Sequence, residues 1–148
     1  MVPAGAARRL TRWLERFEDG SASAGSVLSH GDFHPGNVLW HVDGHLAGLV
    51  DWDYPTIGPP GFDLAHCRAD LVLIAGEAAA QALLDGYEQV CGPVTEMALW
   101  DVQRGVAALA SFPLWISNLA PVGFELDEPV LRARLTDFIR RRAALLTG

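Results

Sequence analysis

Apolar positions follow a helical period at the start of the chain. Leu10, Trp13, Leu14 and Phe17 recur at i, i+3, i+4 and i+7, which predicts a helix over 4–18. The Gly- and Ser-rich stretch "DGSASAGS" at 19–26 breaks it. Val27 and Leu28 make a short apolar step into a polar stretch. The pattern then changes. In "NVLWHVDGHLAGLVDWD", Val38, Leu39, Trp40 and Val42 predict one strand, and Leu46 to Trp52 predict its return strand. Asp43-Gly44 between them is a two-residue turn signal, because Gly accepts the positive φ that such turns need. Trp40 and Trp52 read as core aromatics.

The next segment, "YPTIGPPG" at 54–61, holds three prolines and two glycines and predicts an ordered loop or sharp turn. Beyond it the period is helical again. Helices are expected over 63–75, 78–90 and 96–118, the last kinked at Pro113. "APVGFELDEP" is a connection. Leu131, Leu135, Phe138, Ile139 and Leu145 mark a final amphipathic helix. No repeat or low-complexity linker interrupts the chain, so one domain is expected over 1–148. The fold class is α+β, mostly helical with a short β-hairpin.

Charge narrows the function. Eleven positive residues, all Arg, face 18 acids, for a net charge of −7. Phosphate neutralisation on nucleic acid needs clustered positive charge, so a nucleic-acid partner is not expected. The run Arg140-Arg141-Arg142 reads as the solvated end of a helix. Cys67 and Cys91 are too few for a disulfide framework and read as buried free thiols. No run of about 18 apolar residues and no signal-peptide core is present, so a soluble cytoplasmic protein with no membrane partner is expected.

The candidate chemistry lies in "HGDFHPGN", residues 30–37, and at the far end of the hairpin. Asn37 enters the hairpin and Asp51 leaves it, so pairing of the strands brings them close. Two oxygen donors from adjacent strands suit Mg²⁺, which keeps several waters and takes its remaining ligands from substrate phosphates. A second carboxylate, Asp32, is free to orient and deprotonate an attacking hydroxyl. A zinc site built from His30, Asp32, His34, His45 and Asp51 fits less well. The His-x-Asp-x-His spacing is not that of a zinc-binding helix, His45 falls beside the hairpin turn, and Asn37 is left without a role.

"HGDFHPGN" followed by "GLVDWDYPTIGPPGFDLA" closely resembles the aminoglycoside phosphotransferase and choline kinase-like superfamily, whose members resemble protein kinases in fold. The resemblance implies a kinase-like C-terminal lobe that transfers the γ-phosphoryl group of ATP, or another nucleoside triphosphate, to a hydroxyl of a small molecule. It assigns Asp32 as catalytic base. Asn37 and Asp51 hold Mg²⁺ on the nucleotide phosphates. His34 stands where protein kinases carry a loop lysine, near the transferred group. His30 and Asp63 support the loop. Asp53 either caps the Pro-rich loop or joins the metal site.

Two features of the family pattern are missing from these residues: a Gly-rich strand–turn–strand segment and a lysine that pairs the phosphates. Only the C-terminal lobe is matched. The expectation is therefore weak or no activity from this chain alone, and an exposed lobe interface that takes a homodimer or a separate N-lobe partner. The alternative is a non-catalytic binding module. The family's substrates include aminoglycosides, macrolides, choline and homoserine. Asp70, Asp101, Glu125, Asp127 and Glu128 read as solvated surface, or as acids that attract a cationic substrate.

Overall fold

The computed structural model describes residues 2–18, 25–113, 116 and 127–147. The chain divides into two compact units, Ser23–Thr95 and Met1–Ala22 with Glu96–Gly148.

In the Ser23–Thr95 unit, β1 (Val27–Ser29) leads into the polar loop, which ends in a 3-10 turn, Pro35–Asn37. Strands β2 (Val38–Trp40) and β3 (Leu46–Leu49) form the expected hairpin, pairing Val38 with Leu49 and Leu39 with Gly48. Its connection is wider than a two-residue turn. The His41 N–H donates to the His45 carbonyl at 2.8 Å, and the Gly44 N–H to the His41 carbonyl at 2.9 Å. Gly44 has φ of +87°, so the Asp-Gly signal marks the right place, but Val42 lies in the turn and not in the strand. The return strand also ends early. Asp51 takes φ of +65°, a left-handed conformation that stops strand geometry before Trp52.

The Pro-rich segment contains a strand that the sequence reading missed. Thr56–Gly58 forms β4, antiparallel to β1, with Leu28 opposite Ile57. Pro55 and Pro59 bracket it and lie outside it, where a missing N–H costs no ladder bond. Helix α2 (Pro60–Ile74) follows, with Pro in its first turn, and packs on α3 (Glu77–Cys91). Leu64, Ala65, Ala69, Val72 and Leu73 of α2 are buried. Arg68 is buried with them and donates to the Ala80 carbonyl of α3 at 2.5 Å. A charged donor on a helix carbonyl ties the two helices together.

The second unit joins α1 (Ala4–Glu18), α4 (Met97–Ala110) and α5 (Glu128–Ala144). Trp13 of α1 meets Trp100 of α4 edge to face at 4.4 Å. Its indole N–H donates to Glu96 at 2.7 Å. Phe17 touches Trp100 at 5.2 Å between centroids but stays partly exposed, as the last contact of the predicted α1 face. Helix α4 ends at Ala110, before Pro113; residues 114–118 of the expected 96–118 helix, apart from residue 116, and most of the connection after it lie outside the described residues. On α5, Leu131, Leu135, Phe138 and Ile139 are buried as expected, but Leu145 is exposed and Leu146 is buried. Residue 145 already caps the helix, so the helical period no longer applies there.

Several surface assignments change. Trp40 and Trp52 are 63% and 42% exposed, so neither is a core residue. A two-stranded hairpin has no second layer of its own to cover both faces. Asp101 is buried and lies 3.3 Å from Arg142 Nε, so neither that acid nor that arginine is solvated surface. Asp127 caps α5 by accepting from the Val130 N–H, and Glu128 pairs with Arg132 at 2.6 Å; Glu125 lies outside the described residues. Both cysteines are free, but Cys91 is exposed. No helix among the described residues is long and apolar enough to cross a membrane.

Two outcomes are expected. A Cβ on Gly105 of α4 would stand 2.6 Å from Ile139 Cγ1 of α5. Gly105→Val should therefore destabilise the protein in urea unfolding by about 1–3 kcal/mol, the usual cost of overpacking. Helix propensity alone favours Val over Gly, so a more stable variant would show that the close approach is not maintained. Burial, with the Asp70 and Asp63 carboxylates nearby, pushes the Cys67 thiol up to about 12. At pH 8 an aromatic disulfide reagent should modify Cys91 promptly and Cys67 only on unfolding.

Candidate active site

The loop between β1 and β2 is held from below by Asp63, in the first turn of α2. Its two carboxylate oxygens accept the N–H groups of His30 at 2.5 Å and Gly31 at 3.0 Å. A carboxylate that receives two adjacent backbone donors fixes both position and direction of the chain. Gly31 is required here. Its φ is +86°, and a Cβ would fall 1.9 Å from the Tyr54 carbonyl oxygen. The segment after Asp51 thus lies directly on the backbone of the loop.

From this base a closed circuit of hydrogen bonds runs through the site. The His30 ring, only 2% exposed, bonds the Val50 carbonyl through Nε2 at 2.8 Å. The Val50 N–H donates to the Asn37 carbonyl at 3.0 Å. The Asn37 side-chain amide donates to the Asp32 carbonyl at 2.9 Å. The Asp32 N–H closes the circuit on His30 Nδ1, at a longer 3.4 Å. These partners assign the neutral Nε2–H tautomer to His30. The ring also lies 4.5 Å from Trp52, between centroids.

The circuit uses backbone atoms of Asp32, Val50 and Asn37 and the Asn37 amide nitrogen, and leaves the Asp32 carboxylate and Asn37 Oδ1 outside it. The Asp32 carboxylate is partly exposed, with His34 Nε2 at 3.8 Å from one oxygen and His66 Nε2 at 3.7 Å from the other. His34 accepts the Gly36 N–H at Nδ1, at 3.1 Å, so its Nε2 carries the proton on the Asp32 side. His34 therefore both caps the 3-10 turn and flanks the carboxylate. Asn37 is buried with its amide nitrogen committed, which leaves Oδ1 as an acceptor. Asp51, one residue past Val50, is exposed and makes no side-chain hydrogen bond or ion pair among the described residues. Asp53 is exposed as well and caps nothing among them, so the loop-capping role is not seen.

His66 is the residue that sequence reasoning missed. It lies three residues after Asp63 on α2, the spacing that puts two side chains on one helix face. Once Asp63 is tied to the loop, the same face must carry His66 towards Asp32. The i, i+3 pair was visible in the sequence; the docking of the helix face was not.

The donors suit a hard cation. Asn37 Oδ1 and the Asp51 carboxylate are oxygen donors, and the backbone of Asn37 bonds the residue before Asp51. Among the described residues no group of three or more His, Cys, Asp or Glu is placed to hold a metal ion. A two-ligand site completed by water and phosphate oxygens fits Mg²⁺, which seldom uses an all-protein cage.

The solved structure of a choline/ethanolamine kinase family protein from Mesorhizobium loti has the same fold, with a TM-score of 0.51 and 16% identity over 99% of this chain and 52% of that one. The model of the APH phosphotransferase enzyme family matches residues 3–102, and the chain belongs to that family. It is 30% identical over 112 residues to the uncharacterized protein YcbJ of Bacillus subtilis, covering 74% of this chain and 34% of YcbJ. Over 47 residues it is 49% identical to viomycin phosphotransferase of Streptomyces vinaceus, 30% of this chain and 16% of that enzyme. The chain thus spans about a third of YcbJ and about half of the solved neighbour.

Asp63 gives the site its test. Each N–H bond to a charged acceptor contributes roughly 1.5–3 kcal/mol. Asp63→Ala should lower stability by about that amount or more and expose the amides of His30 and Gly31 to hydrogen exchange. Protection of both amides unchanged in the variant would mean that the carboxylate does not hold the loop.

Proposed function

We propose that this chain carries the catalytic half of an ATP-dependent small-molecule O-phosphotransferase, corresponding to a kinase-like C-terminal lobe. The observation that carries the reading is the hydrogen-bond circuit through His30, Val50, Asn37 and Asp32, which sets three functional side chains on one frame. Asp32 orients the acceptor hydroxyl and takes its proton as the oxygen bonds to the γ-phosphorus and the bond to the β-phosphate oxygen breaks. The two imidazoles flank the Asp32 carboxylate at 3.8 and 3.7 Å, and His34 adds a donor on the phosphate side. Asn37 and Asp51 would hold Mg²⁺, whose contribution when bound is to neutralise charge on the nucleotide phosphates.

Lysine is absent from the 148 residues, as is a Gly-rich phosphate-covering segment. Phosphoryl transfer draws its rate from positioning and charge stabilisation, so weak binding of Mg-ATP and slow turnover are expected of this chain by itself. A second reading, a non-catalytic module that pairs with a partner or another copy, is supported by the exposed Leu39, Trp40, Val42 and Leu46 of the hairpin. A cytoplasmic location belongs to either reading. The acceptor is a hydroxyl of an aminoglycoside-like or other amino or hydroxy metabolite.

Calorimetric titration with Mg-ATP tests the first reading. Heat that requires magnesium should vanish in Asp51→Asn, and Asp32→Ala should keep nucleotide binding while lowering any phosphorylation rate by about 10²–10⁴-fold. Full activity in Asp32→Ala would remove the base assignment. No binding by a folded chain, with a dimer in light scattering, would favour the second reading.

A further inference from the structure

Helix α1 carries Arg9, Arg12 and Arg16 at i, i+3 and i+7, on one face. With Trp13, Glu96 and Leu99 they line a pocket of about 350 Å³. The pocket lies wholly within the helical unit and shares no residue with the catalytic loop. Its formal charge is set by three guanidinium groups and one carboxylate, a local excess of positive charge in a chain of net −7.

Glu96 offsets one of the three positive charges, through its ion pair with Arg16, and two remain. Oε2 accepts the Trp13 indole N–H at 2.7 Å, and Oε1 accepts from Arg16 at 3.1 Å. Glu96 therefore acts as a brace that fixes one wall and one arginine. Among the described residues Arg9 makes a single long contact, 3.4 Å to the Leu146 carbonyl. Arg12 has no hydrogen-bond or ion-pair partner among the described residues. Arginines spaced three and four apart on a helix repel one another, a cost that an anion between them removes. Their planar forks match the paired oxygens of phosphate and carboxylate groups. Trp13 and Leu99 are nearly fully buried and give the pocket a fixed floor.

We infer that this pocket binds a small oxyanion of two or more negative charges, a phosphate-bearing or polycarboxylate molecule, separate from the nucleotide site. The test is calorimetric titration with inorganic pyrophosphate of protein and buffers freed of divalent metal on a chelating resin, since the proposed nucleotide site depends on metal, with citrate as the carboxylate arm. Saturable binding is expected. It should weaken at least tenfold in the Arg9→Gln, Arg12→Gln double variant and fall with added salt. Asp51→Asn should bind pyrophosphate as the parent does, which separates this pocket from the nucleotide site. Tighter pyrophosphate than citrate assigns the pocket to phosphate groups, and the reverse order assigns it to carboxylates. Arg12→Lys, which keeps the charge but not the fork, should fall between the parent and the double variant. No binding of either anion overturns the proposal. Binding unchanged in a double variant shown to be folded by circular dichroism, or lost in Asp51→Asn, does so too.

Discussion

A buried, neutral imidazole can bond through both ring nitrogens at once, and His30 uses that property to join two stretches of chain 20 residues apart. Through Nε2 it holds the exit of the hairpin, and through Nδ1 it holds the loop that carries Asp32. The frame therefore uses one ring nitrogen of His30 towards the hairpin and the other towards the loop. Asp63 then fixes this frame to a helix with bonds to the backbone of His30 and Gly31, so loop, hairpin and helix share one anchor.

Much of this was legible because the relevant order is local. Asn37 and Asp51 sit at the two ends of a hairpin whose turn is written as Asp-Gly, so their proximity follows from strand pairing alone. The helices were legible for the same reason, since their apolar period is set within each segment. The losses occur where structure depends on what packs from elsewhere. The pairing of buried Asp101 with half-buried Arg142 links α4 to α5 across 41 residues, and no local pattern announces it. β4 was hidden because proline was read as a break, whereas here prolines only bracket a three-residue strand.

Tryptophan misled for another reason. Hydrophobic content identifies a side chain that benefits from cover, but not whether cover is provided. Trp52 satisfies its indole N–H on the Leu49 carbonyl and lies against the His30 ring at a 43° tilt, yet keeps 42% of its surface exposed. Trp40 lies on a two-stranded sheet with less protection still. The same limit applies to His66, whose approach to Asp32 depends on how α2 docks and not on any property of the histidine itself.

The left-handed backbone at Asp51 has a consequence for how such a site decays. Asp, Asn and Gly enter that conformation at low cost, while β-branched and bulky residues do not. The residue types that the turn tolerates therefore include two that carry no charge. A single step to Asn or Gly would erase the carboxylate proposed to hold Mg²⁺ and leave the chain's path intact. Nothing in the folding of this segment protects the chemistry, and a silent, well-folded descendant lies one substitution away.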